Sequence, residues 1–151
     1  KKYFAYGSNL LDGELTQSKV EFTPGGRASL SGYKLAFTRY SSNRGGGVAD
    51  IVPESNEVVW GFVYDIEEDT LPKLDNKEGV TTGAYQRVCV DVHLDDGRKL
   101  RCLSYTVVTK TQPDIPPSKK YLDVIIKGAK EKQLPKPWID WVTAIPSNDS
   151  N

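Results

Sequence analysis

The stretch Tyr3-Phe4-Ala5-Tyr6-Gly7-Ser8-Asn9-Leu10 joins a short apolar strand to a small polar turn. The turn is expected to open a helix over about Leu10 to Lys19, with Ser8 or Asn9 as N-cap and Asp12 and Glu14 in the first turn, where carboxylates complement the helix dipole. Gly7 lets a ligand approach the backbone, and the first N–H groups of a helix lack acceptors of their own, so the junction has the makings of an anion site. An ordinary strand-to-helix connection has the same pattern. The remainder of the chain has to decide between them.

With 151 residues the chain is read as one domain, 1–151, large enough to bury a core. Twenty Lys and Arg are balanced by twenty Asp and Glu, so no overall field draws nucleic acid or an anionic membrane, and neither partner is expected. No apolar run reaches membrane-spanning length and no signal-peptide pattern follows Lys1-Lys2, the expectation for a soluble, cytoplasmic protein. Cys89 and Cys102 fall on consecutive expected strands; two thiols in a domain of this size form no disulfide framework and are expected reduced.

Beyond the first helix, Pro24-Gly25-Gly26 interrupts the pattern, and Leu30 to Tyr40 follows with Tyr33, Leu35 and Phe37 alternating on one face of a half-buried strand. The glycine-rich segment Ser41 to Gly47 lacks the Lys-Ser or Lys-Thr of a phosphate loop and reads as a flexible hairpin connection. Val48–Val52 and Val58–Asp65 read as two strands around a turn at Pro53-Glu54-Ser55-Asn56. Asp69 is placed to cap a helix in which Pro72 is tolerated, Leu71, Leu74 and Glu78 share a face, and Gly79 ends it. Gly83–Leu94 alternates with Val88, Val90, Val92 and Leu94 on one side; Asp95-Asp96-Gly97 turns it into the return strand Lys99–Thr109. A proline-rich connector, 112–117, leads to Ser118, the expected cap of a helix to about Lys130 with Tyr121, Ile125 and Gly128 on one face. A last helix opens near Pro137, with Trp138, Trp141, Val142 and Ile145 apolar, and 147–151 reads as a frayed tail.

The only histidine, His93, lies on a polar strand face, and one His with two Cys makes no metal site. No serine occupies a Gly-x-Ser-x-Gly elbow. What is left is a carboxylate working with tyrosines and backbone donors, which suits a substrate that carries its own nucleophile. Glu78 is the candidate: burial beside Leu71 and Leu74 and the negative end of its own helix would both raise its pKa. The competing reading is a Glu fraying into solvent, since Asp75 and Lys77 expose part of that turn.

Tyr-Phe-Ala-Tyr-Gly-Ser-Asn-Leu at 3–10, Leu-Asp-Asn-Lys-Glu-Gly-Val at 74–80 followed by Tyr85, and Pro-Pro-Ser at 116–118 leading to Tyr121 and Gly128-Ala-Lys-Glu131 resemble the γ-glutamylcyclotransferase family in order and spacing from Tyr3 to about Ile145. The resemblance implies an α+β fold, a small mixed β-barrel surrounded by helices, that closes α-amine onto γ-carbonyl in a γ-glutamyl compound and releases 5-oxoproline. It implies Glu78 as catalytic acid/base and substrate binding by Tyr3, Phe4, Ala5, Tyr6, Gly7, Ser8, Asn9, Leu10, Tyr85 and Tyr121. In that picture Tyr85 orients or hydrogen-bonds Glu78, Tyr121 closes the site, and N–H groups near Gly7 and Ser8 hold either the substrate carboxylate or the developing oxyanion. No cofactor or metal is implied; a homodimer is.

Three rival readings stand beside it. γ-Glutamylamine-directed relatives show a Gly-Thr-Leu pattern in the first loop, glutathione-directed ones lack this Asn and the Gly-Ala-Lys-Glu segment, and a non-catalytic small-molecule-binding module would keep the pocket without turnover.

Overall fold

The computed structural model describes residues 1–149. Five strands, β1 (Lys2–Ala5), β2 (Phe22–Ser41), β3 (Gly46–Ile66), β4 (Tyr85–Leu94) and β5 (Lys99–Val107), close into a barrel in the order β1-β3-β2-β4-β5. All pairings are antiparallel except the closing one, where β1 runs parallel to β5 with Tyr3 opposite Leu103. The serine hydroxyl of Ser104 reinforces that seam by donating to the Phe4 carbonyl at 2.8 Å. Four helices pack around the strands: α1 (Asp12–Gln17), α2 (Leu71–Lys77), α3 (Lys119–Glu131) and α4 (Lys136–Thr143). The expected mixed barrel with surrounding helices is therefore observed.

Strand alternation splits the core in two. Phe4 and Tyr6 join Leu30, Phe37, Ile51, Val59, Val90 and Val92, with Tyr121 and Ile125 from α3, while Tyr3 and Ala5 join Leu10, Leu15, Tyr64, Leu74 and Tyr105. Successive residues of β1 thus feed opposite faces, as period-two geometry requires.

Several sequence expectations need correcting. Pro24-Gly25-Gly26 does not interrupt the strand: β2 passes through it with a register shift between Pro24 and Gly26, and such a bulge accommodates a proline that has no N–H for the ladder. Pro53 to Asn56 lies within one long β3, where the register jumps from Ser31–Val58 to Tyr33–Pro53 and Asn56 takes a positive φ of 67°. The expected turn is an exposed excursion of a continuous hairpin arm. The first helix is shorter than Leu10–Lys19: a 3-10 turn, Ser8–Leu10, precedes α1, and neither Ser8 nor Asn9 caps it by side chain. Asp69 lies in a second 3-10 turn, Glu68–Thr70, and makes no capping bond to α2. Asn148 is not frayed; its N–H donates to the Pro117 carbonyl and its side-chain amide to that of Gly45, both at about their hydrogen-bond optimum, 2.8 and 2.7 Å. Of the expected tail, residues 150 and 151 lie outside the described ones.

Other expectations hold. The Ser118 hydroxyl accepts from the Tyr121 N–H at 3.1 Å and caps α3. Gly79, with φ 66°, closes α2 in a Schellman arrangement, its N–H bonded to Asn76 and that of Val80 to Asp75. Cys89 is exposed and Cys102 buried; both are free, and their register partners, Leu103 and Val90, put them on opposite faces of the hairpin.

Helix α3 lies directly on the 3-10 turn because Gly128 has no side chain: a Cβ there would sit 2.7 Å from the Leu10 Cβ and 2.8 Å from the Leu11 nitrogen. Gly128→Ala gives a direct check. Helix propensity alone favours alanine by about 1 kcal/mol, whereas overpacking costs about 1–3 kcal/mol. The expected outcome of urea unfolding is a lower midpoint at unchanged slope, with the sign set by the packing.

Candidate functional site

A cavity of about 590 Å³ opens where the turn after β1, the β2–β3 hairpin, the end of α2, the start of β4 and Tyr121 of α3 converge. Its walls hold Tyr3, Tyr6, Gly7, Ser8, Asn9, Glu78, Tyr85 and Tyr121 from the sequence reading. Phe4, Ala5 and Leu10 do not line it. Phe4 and Ala5 are sealed within the two core clusters, and Leu10 is buried against α3 at Gly128. They support the cavity's wall from behind rather than forming its surface.

Glu78 follows the last residue of α2, where its N–H still bonds to the Leu74 carbonyl at 3.0 Å. Leu71 and Leu74 bury the helix face, and Asp75 ties the same helix to the barrel through a bidentate pair with Arg87 of β4 (2.9 and 2.7 Å) and a hydroxyl from Tyr105 of β5 at 2.6 Å. The helix end is thereby fixed on three sides. Glu78 is half-buried, not frayed, and faces the turn after β1: the Asn9 amide nitrogen donates to the Tyr3 hydroxyl at 2.8 Å and lies 3.5 Å from Glu78 Oε2. Asn9 is itself buried, and its Oδ1 meets no donor among the described residues. An orphaned acceptor of this kind costs about 1–3 kcal/mol, and such positions concentrate where arrangement serves something other than stability.

The 3-10 turn is held from its far side. The Tyr64 hydroxyl lies 3.0 Å from the Asn9 carbonyl, 3.2 Å from that of Leu10 and 3.0 Å from the Asp12 carboxylate. Within the turn, Leu10 and Leu11 N–H groups bond back to Gly7 and Ser8, so the N–H groups of Ser8 and Asn9 have no acceptor inside it. Gly7 packs closely: a Cβ would stand 3.2 Å from that of Ala49, a tight approach, and 3.8 Å from the Tyr121 hydroxyl.

Tyr85 does not orient Glu78 by a hydrogen bond. Its hydroxyl donates to the Ala49 carbonyl at 2.6 Å, while the Ala49 N–H donates to the Tyr121 hydroxyl at 3.0 Å. The two tyrosines hold the two backbone groups of one residue of β3. Ala49 can offer both groups because the backbone of its register partner Phe37 is engaged elsewhere, its N–H donating to the Asp114 carboxylate at 3.2 Å and its carbonyl accepting from the Ile115 N–H at 2.8 Å.

Glu14 and Lys77 were not singled out as site residues by the sequence reading, which left the role of Arg44 near the pocket open; all three line the cavity. Glu14 pairs with Arg44 and with Lys77, the latter at 3.3 Å, and Arg44 lies over the Tyr121 ring at 5.1 Å. Charged residues on a hairpin tip and two short helices carry no mutual signal in sequence. Burial pushes the Glu14 carboxyl up, but hydrogen bonds and charge from Arg44 and Lys77 outweigh it and leave its pKa below the ordinary value. At Glu78 the balance falls the other way: desolvation raises the pKa, and the opposing pull of Lys77, Asn9 and Arg44 does not cancel it. Burial likewise raises Tyr121, to about 12, and Tyr3 and Tyr85 further, so all three stay protonated donors at neutral pH.

This barrel and site define a family. The chain matches the AIG2-like family model over residues 58–142. It is 34% identical to the bovine protein named gamma-glutamylcyclotransferase, across 97% of this chain and 79% of that one. A solved structure titled gamma-glutamyl cyclotransferase superposes with a TM-score of 0.90 at 34% identity, covering 98% of this chain and 89% of the other. A yeast enzyme described as specific to glutathione shares the fold alone, with a TM-score of 0.67 and 15% identity over 95% of this chain and 92% of its own. The chain belongs to the γ-glutamylcyclotransferase family. Among its described residues no helix is long and apolar enough to cross a membrane.

Because the Glu78 pKa is raised on folding, the native state binds more protons than the unfolded chain between the two pKa values, and the ionised group opposes folding above them. Glu78→Gln is expected to melt at a higher temperature than the parent at pH 7. The difference should close as pH falls below the ordinary glutamate value of about 4.3; calorimetry at both pH values checks it.

Proposed function

We propose that this chain cyclises γ-glutamyl-amino acids, releasing 5-oxoproline and the free amino acid, with Glu78 as general acid/base, as a cytoplasmic step in glutathione and γ-glutamyl turnover. The observation that carries the reading is the meeting of Glu78 with the Gly7-Ser8 turn in one cavity, Asn9 lying between them.

The substrate's α-ammonium first gives a proton to Glu78. The freed amine attacks the γ-carbonyl carbon, and Glu78 hands its proton to the departing nitrogen as the amide C–N bond breaks. It then takes the second proton that the new ring nitrogen sheds and passes it to the released amine, which leaves with both. Nucleophile and electrophile belong to one molecule, so holding it in the ring-closing conformer supplies about 7 kcal/mol or more of the barrier reduction. A raised carboxyl pKa brings Glu78 nearer the ammonium it must deprotonate. Lys77 and Arg44 restrain that rise.

Donors for developing charge are at hand. The Tyr121 hydroxyl has accepted from Ala49, which leaves its own proton for the γ-carbonyl oxygen, and the Ser8 and Asn9 N–H groups are open toward the glutamyl carboxylate or the oxyanion. Tyr85, whose proton is committed to Ala49, acts as a positioning residue in this scheme.

The test is 5-oxoproline release from γ-glutamyl-alanine, glutathione and γ-glutamyl-lysine. Activity on the dipeptide is expected, and Glu78→Gln should lower kcat about 10²- to 10⁴-fold. The acid limb of the parent's kcat/KM should titrate above the ordinary glutamate range, the direction that burial gives Glu78. Turnover of glutathione alone would replace the dipeptide reading, equal rates for parent and variant would remove Glu78 from the chemistry, and binding without release by either would favour a non-catalytic module.

The same reading includes a homodimer. Trp141, 48% exposed, stacks on Trp138 at 5.1 Å beside Val58, 38% exposed, an apolar surface suited to a second copy. Sedimentation of the parent at twice 16.8 kDa, and of Trp141→Glu at the monomer mass, is the expected result.

A further inference from the structure

We propose that Arg39 selects γ-glutamyl compounds whose leaving group carries its own carboxylate, by pairing with that carboxylate. The inference rests on the γ-glutamyl reading above and adds to it a specificity-determining residue.

Five charged side chains line the cavity: the cations Arg39, Arg44 and Lys77, and the carboxylates Glu14 and Glu78. Two of the cations are engaged. Arg44 and Lys77 share Glu14, and Arg44 also covers the Tyr121 ring. Arg39 is half-buried on β2 opposite Val48, yet among the described residues it has neither hydrogen bond nor ion pair. Its guanidinium thus keeps five donors uncommitted within the protein and in reach of water, free to take a ligand.

Its position suits that partner. Val48 and Ala49 also line the cavity, Ala49 is the residue gripped by Tyr85 and Tyr121, and the Tyr85 hydroxyl lies within electrostatic reach of both Arg39 and Glu78. A γ-glutamyl-amino acid bound with its scissile amide at Glu78 carries a carboxylate one carbon beyond the leaving nitrogen. A planar guanidinium can take that group with two parallel hydrogen bonds. Charge agrees as well: the wall has one cation more than it has carboxylates, and the dipeptide, with one ammonium and two carboxylates, has one negative charge in excess. A γ-glutamylamine lacks the second carboxylate and would leave Arg39 unpaired and desolvated, which discriminates against it.

The experiment compares γ-glutamyl-alanine with γ-glutamyl-alaninamide, which differ only in that carboxylate, using the parent, Arg39→Gln and Arg39→Lys. The expected result is a preference of the parent for the acid. Arg39→Gln should lose about 10- to 100-fold in kcat/KM on the acid, chiefly in KM, and less than twofold on the amide. Arg39→Lys should recover part of the loss. Equal losses on both compounds would assign Arg39 to the glutamyl end or to the fold and overturn the proposal, as would no loss on the acid. A parent that releases 5-oxoproline from neither compound would overturn the γ-glutamyl reading itself, a result separate from the failure of Arg39 alone.

Discussion

A buried carboxylate holds the barrel in the shape that the cavity needs. Asp50 is wholly inside, where an ion loses several kcal/mol of hydration even after relaxation. Five donors offset that cost. Thr38 of β2 and Lys110 reach Oδ2 at 2.7 and 2.6 Å, while the Ile51 N–H, the Thr106 hydroxyl and the Val107 N–H reach Oδ1 at 2.9, 2.8 and 3.0 Å. Two strands and the segment after β5 are thereby drawn onto one atom pair of β3. Hydrophobic burial is non-directional and would tolerate some sliding; a carboxylate with five partners does not.

Ala49 sits immediately before that anchor, and this is how a structural constraint becomes a constraint on the site. Its N–H and carbonyl receive Tyr121 and Tyr85, so β4 and α3 are set against β3 by hydrogen bonds and not only by contact. Tyr121 then meets Gly7, and α3 in turn presses on Leu10 through Gly128. The cavity is assembled from short, individually weak elements, each referenced to a single rigid strand. Sites that must hold reacting groups to within a fraction of an ångström need support of this kind.

What could be read in advance followed the range of each signal. Alternation in 85–94, the Asp95-Asp96-Gly97 turn, the Ser118 cap and the Gly79 stop are local rules, and the structure obeys them. Barrel closure came from the family resemblance, since the parallel seam between β1 and β5 joins residues a hundred positions apart. Helix entry at Ser8 and Asn9 departs from the expectation because the Asn9 side chain is turned to donate its amide nitrogen toward Tyr3 and Glu78, which leaves Oδ1 away from any helix N–H. The break at Pro24 was misread because a bulge lets a strand carry proline. Tyr85 had the expected identity but a backbone partner, and the Glu14–Arg44–Lys77 cluster had no sequence signature, since three charges from three elements meet only after folding.

The aromatic residues are divided between two regions. Trp60, Trp138 and Trp141 all line a groove with Leu35, Val58, Pro135 and Pro137, and none lines the cavity that holds Glu78. They are the only tryptophans in the chain, whereas Tyr3, Tyr6, Tyr85, Tyr105 and Tyr121 surround the cavity. The protein thus carries its indole fluorophores in one region only. Its indole emission therefore reports the groove and whatever covers it, from a region apart from the cavity that holds Glu78.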